Sequence, residues 1–242
     1  MVLLLGDSLT QRGGAVSQGG GWAARLAEHY ERRADVLNRG LSGYNTQWVL
    51  KELPGLLGGA AGLADVAVIW LGANDAALAG GDSAAQHVPL EEYKSNLRDI
   101  LQSIRGLPKA PPCLLVTPPA VDDEARMRFT GAPTPERTLE MSKQYAQACK
   151  SVACETHTKV CDMWLHTSTQ ALPELLSDGL HFSPEGEKFV YGILSREVNQ
   201  LWVDSNFQLC CTPDGEQFYR RPPLDVPDWK DRTHSSEDEN SG

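Results

Sequence analysis

Five short β-rich apolar runs, each separated from the next by a longer stretch with helical periodicity, set the limits on what this chain can fold into. The runs are Val2–Leu5, Asp35–Asn38, Val66–Leu71, Cys113–Thr117 and Lys159–Asp162. Between the first two, Trp22, Leu26 and Tyr30 recur four residues apart and share one helix face. Between the third and fourth, Leu97, Ile100, Leu101 and Ile104 follow the spacing of a helix packed on one side. A last helix opens on Ser183-Pro184-Glu185, a serine cap followed by proline at the first helical position, with Phe189, Ile193, Leu194, Val198 and Leu201 as its buried face. Parallel neighbours need crossover connections, so this alternation predicts an α/β fold with a five-stranded parallel sheet covered on both faces. Ligands bind such sheets beyond the carboxyl ends of the strands. Functional residues are therefore expected just after strands.

A chain of 242 residues suits one core, and the expected division is a domain over residues 1–203 followed by an extension over 204–242. Within the extension, Pro222-Pro223-Leu224 to Trp229 is expected to dock on the body and Thr233 to Gly242 to be disordered. Pro118 to Pro135 is a long connection that carries Met127 and Phe129, which favours a lid. No run of apolar residues approaches the length of a membrane span, and Met1–Leu5 lacks the basic flank of a secretory leader. The formal net charge of −10, with no basic stripe, opposes binding to a phosphate backbone, although Ser236-Glu237-Asp238-Glu239 contributes part of it. Six cysteines form no CxxC pair and no zinc-type spacing; free thiols in a reducing, cytoplasmic compartment are expected, with no metal.

Four segments carry chemistry. Gly6-Asp7-Ser8-Leu9 follows the first strand and can lift the Ser8 hydroxyl into the crevice, although a plain turn or helix cap explains the tetrapeptide equally well. Asp178-Gly179-Leu180-His181 holds the one histidine with a carboxylate three residues upstream in a glycine-containing turn. Asp178 can accept from Nδ1 and leave Nε2 to take a proton from Ser8; a helix-entry turn with a surface histidine is the alternative. Gly43 can bring a backbone N–H close to an oxyanion, or be needed only for a positive φ. Asn74, in Gly72-Ala73-Asn74-Asp75, can supply an amide donor, or cap a helix, as can Asp75. Asp7 is read as structural, accepting from backbone amides to hold Ser8. His29, His87, His157, His166 and His234 are read as bystanders, since none stands after a strand in a glycine-containing turn with an Asp partner.

Taken in order, Gly6-Asp7-Ser8-Leu9, Gly43, Gly72-Ala73-Asn74-Asp75 and Asp178-Gly179-Leu180-His181 resemble the four blocks of the SGNH, or GDSL-type, serine hydrolases. The segments from Leu37 to Thr46, Gln86 to Tyr93 and Leu176 to Pro184 are closest to the isoamyl acetate-hydrolysing esterase branch. The resemblance implies a flavodoxin-like three-layer α/β/α sandwich and a Ser8–His181–Asp178 triad. It also implies an oxyanion hole made of the Ser8 and Gly43 amides with Asn74 Nδ2. It is weakest over Pro118–Pro135 and after Val203.

The expected activity is hydrolysis of short-chain, acetate-type carboxylic esters through an acyl-enzyme, with a small-molecule ester as partner and no cofactor. Tyr44 and Leu180 are expected to contact substrate, with Leu78, Met127 and Phe129 nearby. Thioesterase, lysophospholipase or carbohydrate O-deacetylase chemistry would use the same machinery, and a non-catalytic scaffold could retain it.

Overall fold

The computed structural model describes residues 1–209, and the docking and disorder expected beyond Pro222, with Cys210 and Cys211, fall outside them. Five parallel strands form one sheet: β1 (Val2–Gly6), β2 (Val36–Gly40), β3 (Val66–Trp70), β4 (Cys113–Val116) and β5 (Lys159–Cys161). Their spatial order is β2-β1-β3-β4-β5. Each strand lies within about two residues of its expected run, because short apolar runs bounded by turns leave little freedom of placement.

Side chains alternate across a strand, and the two faces of β1 show the consequence. Val2 and Leu4 enter one cluster with Trp22, Leu26, Trp70, Val190, Leu194 and Val198; Leu3 and Leu5 enter another with Val49, Leu53, Leu97, Ile100, Leu101 and Val152. The first cluster is closed by α1 (Ser8–Gly13), α2 (Trp22–His29) and α9 (Pro184–Leu209). The second is closed by α3 (Thr46–Leu56), α4 (Leu90–Arg105) and α6 (Leu139–Glu155). Helices on both faces of a parallel sheet make the three-layer α/β/α sandwich.

The chain runs from β1 outward to β2, then returns past β1 to β3. Connections on either side of β1 therefore leave in opposite directions, which opens a crevice at the carboxyl ends of β1 and β3.

Two departures from expectation matter for the site. The connection after β4 is not structureless, for it contains α5 (Asp123–Thr130), capped by Asp122 accepting from Ala125 N. After β5, two short helices, α7 (Met163–Ser168) and α8 (Leu172–Leu175), precede the Asp178–His181 turn. The last helix also continues past Val203, to Leu209. Its entry is as expected: Ser183 Oγ accepts from Gly186 N at 3.1 Å, closing the cap ahead of Pro184.

Candidate active site

Ser8 is the first residue of α1, immediately beyond β1. Asp7 caps that helix: its Oδ1 accepts from Leu9 N at 2.9 Å, which sets the turn on which Ser8 stands. Asp7 is fully buried, and its carboxyl is pushed up to about 7, by burial first and by nearby Asp75 second, against the lowering effect of the Leu9 amide.

On the far side of the crevice, Asp178 organises its own turn. Its Oδ1 accepts from Leu180 N at 3.0 Å and His181 N at 2.8 Å. Its Oδ2 lies 2.7 Å from His181 Nδ1, and His181 Nε2 lies 2.9 Å from Ser8 Oγ. A carboxylate can only accept, so Nδ1 carries the hydrogen and Nε2 is left to accept from the serine hydroxyl. Burial works to raise the Asp178 carboxyl, but hydrogen bonds from the His181 ring and from the His181 and Leu180 amides outweigh it and hold it well below the carboxylate range. The carboxylate thus stays charged beside the imidazole, an arrangement that can stabilise an imidazolium.

Gly43 lies in the loop after β2 with φ of +83°, so the positive-φ requirement is met. Its carbonyl accepts from Gln86 Nε2 at 3.0 Å. Asn74 lies in the turn after β3 and caps no helix. Its Nδ2 donates to Tyr44 O at 2.8 Å, which uses one of the two amide hydrogens. The capping work falls elsewhere: Asn45 accepts from Trp48 N at 2.9 Å, and Asp75 accepts from Thr46 N at 3.0 Å. Asp75 is itself fully buried and pushed up to about 6 by burial, opposed by its Thr46 hydrogen bonds.

Tyr44 is half-buried and meets Trp48 edge-on, whereas Leu180 is only 2 % exposed and packs in the cluster that contains Trp70 and Phe182. Met127 is half-buried and Phe129 65 % exposed on α5, which buries none of its residues. The Arg126 guanidinium sits over the Phe129 ring at 5.5 Å.

Three charged residues with no sequence signature join these parts. Arg137 is almost fully buried: Nη2 donates to Asn74 Oδ1 at 3.0 Å and to Gln86 Oε1, Nε donates to Ala73 O at 3.0 Å, and Nη1 donates to Glu136 Oε1 at 2.7 Å. Arg126 Nε reaches the same Glu136 oxygen at 2.6 Å. Arg126 Nη1 stands 3.0 Å from Asp178 Oδ2, as an ion pair without the alignment of a hydrogen bond. Burial would raise the Glu136 carboxyl, but Ser83 and the two guanidiniums hold it below its ordinary value.

Other chemistry is remote or muted. Burial raises the thiols of Cys113, Cys149 and Cys161 to about 11, 12 and 12, so none is a ready nucleophile. Among the described residues no cluster of His, Cys, Asp and Glu has metal-holding geometry, and no helix is long and apolar enough to cross a membrane. A cavity of about 580 Å³ lies at the opposite edge of the sheet, where Arg105, His157 and Lys159 line it.

The model of the GDSL-like lipase/acylhydrolase family matches residues 4–189. This chain belongs to that family. Its similarity to curated members extends over most of its length. It is 40 % identical to a GDSL esterase/lipase of Arabidopsis thaliana, across 92 % of this chain and 95 % of the relative. It is 38 % identical to the isoamyl acetate-hydrolyzing esterase 1 homolog of Rattus norvegicus, across 95 % and 87 %. Among solved structures, a lipase/acylhydrolase from Enterococcus faecalis shares the fold at a TM-score of 0.63 and 24 % identity, covering 81 % of this chain and 94 % of that one. An acetylxylan esterase from Geobacillus stearothermophilus does so at 0.62 and 24 %, covering 81 % and 93 %. As a GDSL-family acylhydrolase, the chain is a carboxylic ester hydrolase.

Proposed function

We propose that this acylhydrolase is a serine esterase in which Ser8 is the nucleophile, His181 the general base and Asp178 the residue that orients and stabilises the imidazole. His181 Nε2 takes the hydroxyl proton as Ser8 Oγ attacks the ester carbonyl, and the tetrahedral oxyanion is met by the Ser8 and Gly43 amides and Asn74 Nδ2. The protonated His181 then gives its proton to the leaving alcohol, and the acyl-serine forms. Water, deprotonated by His181, attacks the acyl carbon and releases the acid. No step needs a cofactor. The supporting observation is the unbroken relay from Ser8 Oγ through the imidazole to Asp178, at 2.9 and 2.7 Å.

For substrate we infer a short acyl group on a medium-sized apolar alcohol. The isoamyl acetate-hydrolyzing relatives point that way. Tyr44 is the proposed contact with the most exposed surface, and Leu180 would act through the little it exposes. Free thiols at Cys113, Cys149, Cys154 and Cys161 support a reducing, cytoplasmic setting.

The test is covalent labelling with a fluorophosphonate together with turnover of a p-nitrophenyl ester series. Labelling of the wild-type chain at Ser8, its loss in Ser8→Ala, and a kcat/KM maximum between acetate and about hexanoate are expected, since each methylene a small pocket accepts adds roughly 1 kcal/mol until it is full. Substantial turnover by Ser8→Ala removes the nucleophile assignment. A maximum at palmitate removes the short-chain assignment.

A further inference from the structure

We propose that Arg137 is a positioning residue for the oxyanion donors, dictating which end of the Asn74 amide faces the reacting carbonyl; this rests on the serine-esterase reading above. The oxygen and nitrogen ends of an amide are nearly equal in size, so packing alone does not choose between them. A guanidinium chooses, because it only donates. With Arg137 Nη2 3.0 Å from Oδ1, the Asn74 Nδ2 is turned toward Tyr44 O, at 2.8 Å. A flipped amide would set N–H against N–H at one end and carbonyl against carbonyl at the other.

The same Nη2 donates to Gln86 Oε1, which turns Gln86 Nε2 onto the Gly43 carbonyl at 3.0 Å. One buried cation therefore imposes a polarity on two amides, one bearing the side-chain donor and the other clamping the loop that bears a backbone donor. Its charge also polarises the Asn74 amide and strengthens the remaining N–H. Arg137 is fixed in turn by Ala73 O and by Glu136, and Glu136 is shared with Arg126, which faces Asp178. A lysine at this position would keep the charge but not the fork that meets several acceptors at once.

The full chain is assayed with p-nitrophenyl acetate. Arg137→Lys, which retains a cation against Glu136, is expected to melt as a folded protein and to lose roughly 10- to 100-fold in kcat with KM within about threefold of wild type. Arg137→Met is expected to lose more. The deciding measurement is the pair with Asn74→Ala. If Arg137 acts through the two amides, adding Arg137→Lys to Asn74→Ala costs no more than the several-fold loss of the Gln86 branch, whereas a merely structural role multiplies the full losses. Gln86→Ala leaves the ion pairs intact and reads the Gly43 branch even where an Arg137 variant does not fold; a several-fold fall in kcat is expected. Wild-type kcat in folded Arg137→Lys, multiplied losses in the double variant, or unchanged kcat in Gln86→Ala each overturn the proposal. Ser8→Ala separates the two levels. If it stays active, the serine reading fails; if it is inactive while the Arg137 variants run at wild-type kcat, only the positioning role fails.

Discussion

Asp7 stands next to the proposed nucleophile as a buried carboxyl whose Oδ2 has no hydrogen-bond partner among the described residues. Its folded-state value of about 7 exceeds the ordinary value of 3.8, so the folded chain holds a proton that the unfolded chain releases more readily. The stability this gives is fully present below about pH 4 and is lost as pH rises through 7, by on the order of 3–4 kcal/mol for a fully buried group. Asp75 reinforces the effect, being pushed up to about 6 a short distance away. Asp7→Asn mimics the protonated form and keeps an oxygen for Leu9 N. It is expected to flatten the fall in melting temperature between pH 5 and pH 8 and to exceed wild type at pH 8. A slope equal to that of wild type would show that Asp7 is not the group that titrates.

At the scale of elements, α5 and the Asp178–His181 turn are in direct contact. Asp122 N donates to Gly179 O at 3.0 Å, and Gly179 has a φ of +82°. A Cβ added there would lie 2.4 Å from Arg126 N and 2.6 Å from Asp122 O, both backbone atoms with little room to yield. Gly179→Ala is therefore expected to push α5 and the turn apart, lowering stability by roughly 1–3 kcal/mol and kcat with it. Denaturant unfolding and turnover, measured together, check this; wild-type values in both would mean the contact is slack. The same contrast explains what could be read in advance. The strands, α4 and the Asp178–His181 hydrogen bond were legible, because apolar periodicity and an Asp three residues before a His are local patterns. The helix α5 was not, since it buries no residue and so writes no stripe. Arg126, Glu136 and Arg137 were silent as well: their partners Asp178, Ser83 and Asn74 lie 52, 53 and 63 residues away, and no local spacing encodes such contacts.

At the scale of the molecule, every strand pairing among the described residues is parallel and joins segments distant in sequence, a topology that folds slowly because loop closure precedes the reward of contact. Ester turnover is expected to return later than far-UV helical signal on refolding from denaturant, and its return together with the earliest helix signal would contradict that. The contact between Ser8 and His181 spans 173 residues, most of the described length. During translation at about 5–20 residues per second, Ser8 is made on the order of ten to thirty seconds before its proposed base, His181. Until then it is an ordinary alcohol. On the proposed mechanism the order of the chain works as an interlock: a product that stops short of His181 carries the serine without its base, and no ester turnover is expected of it.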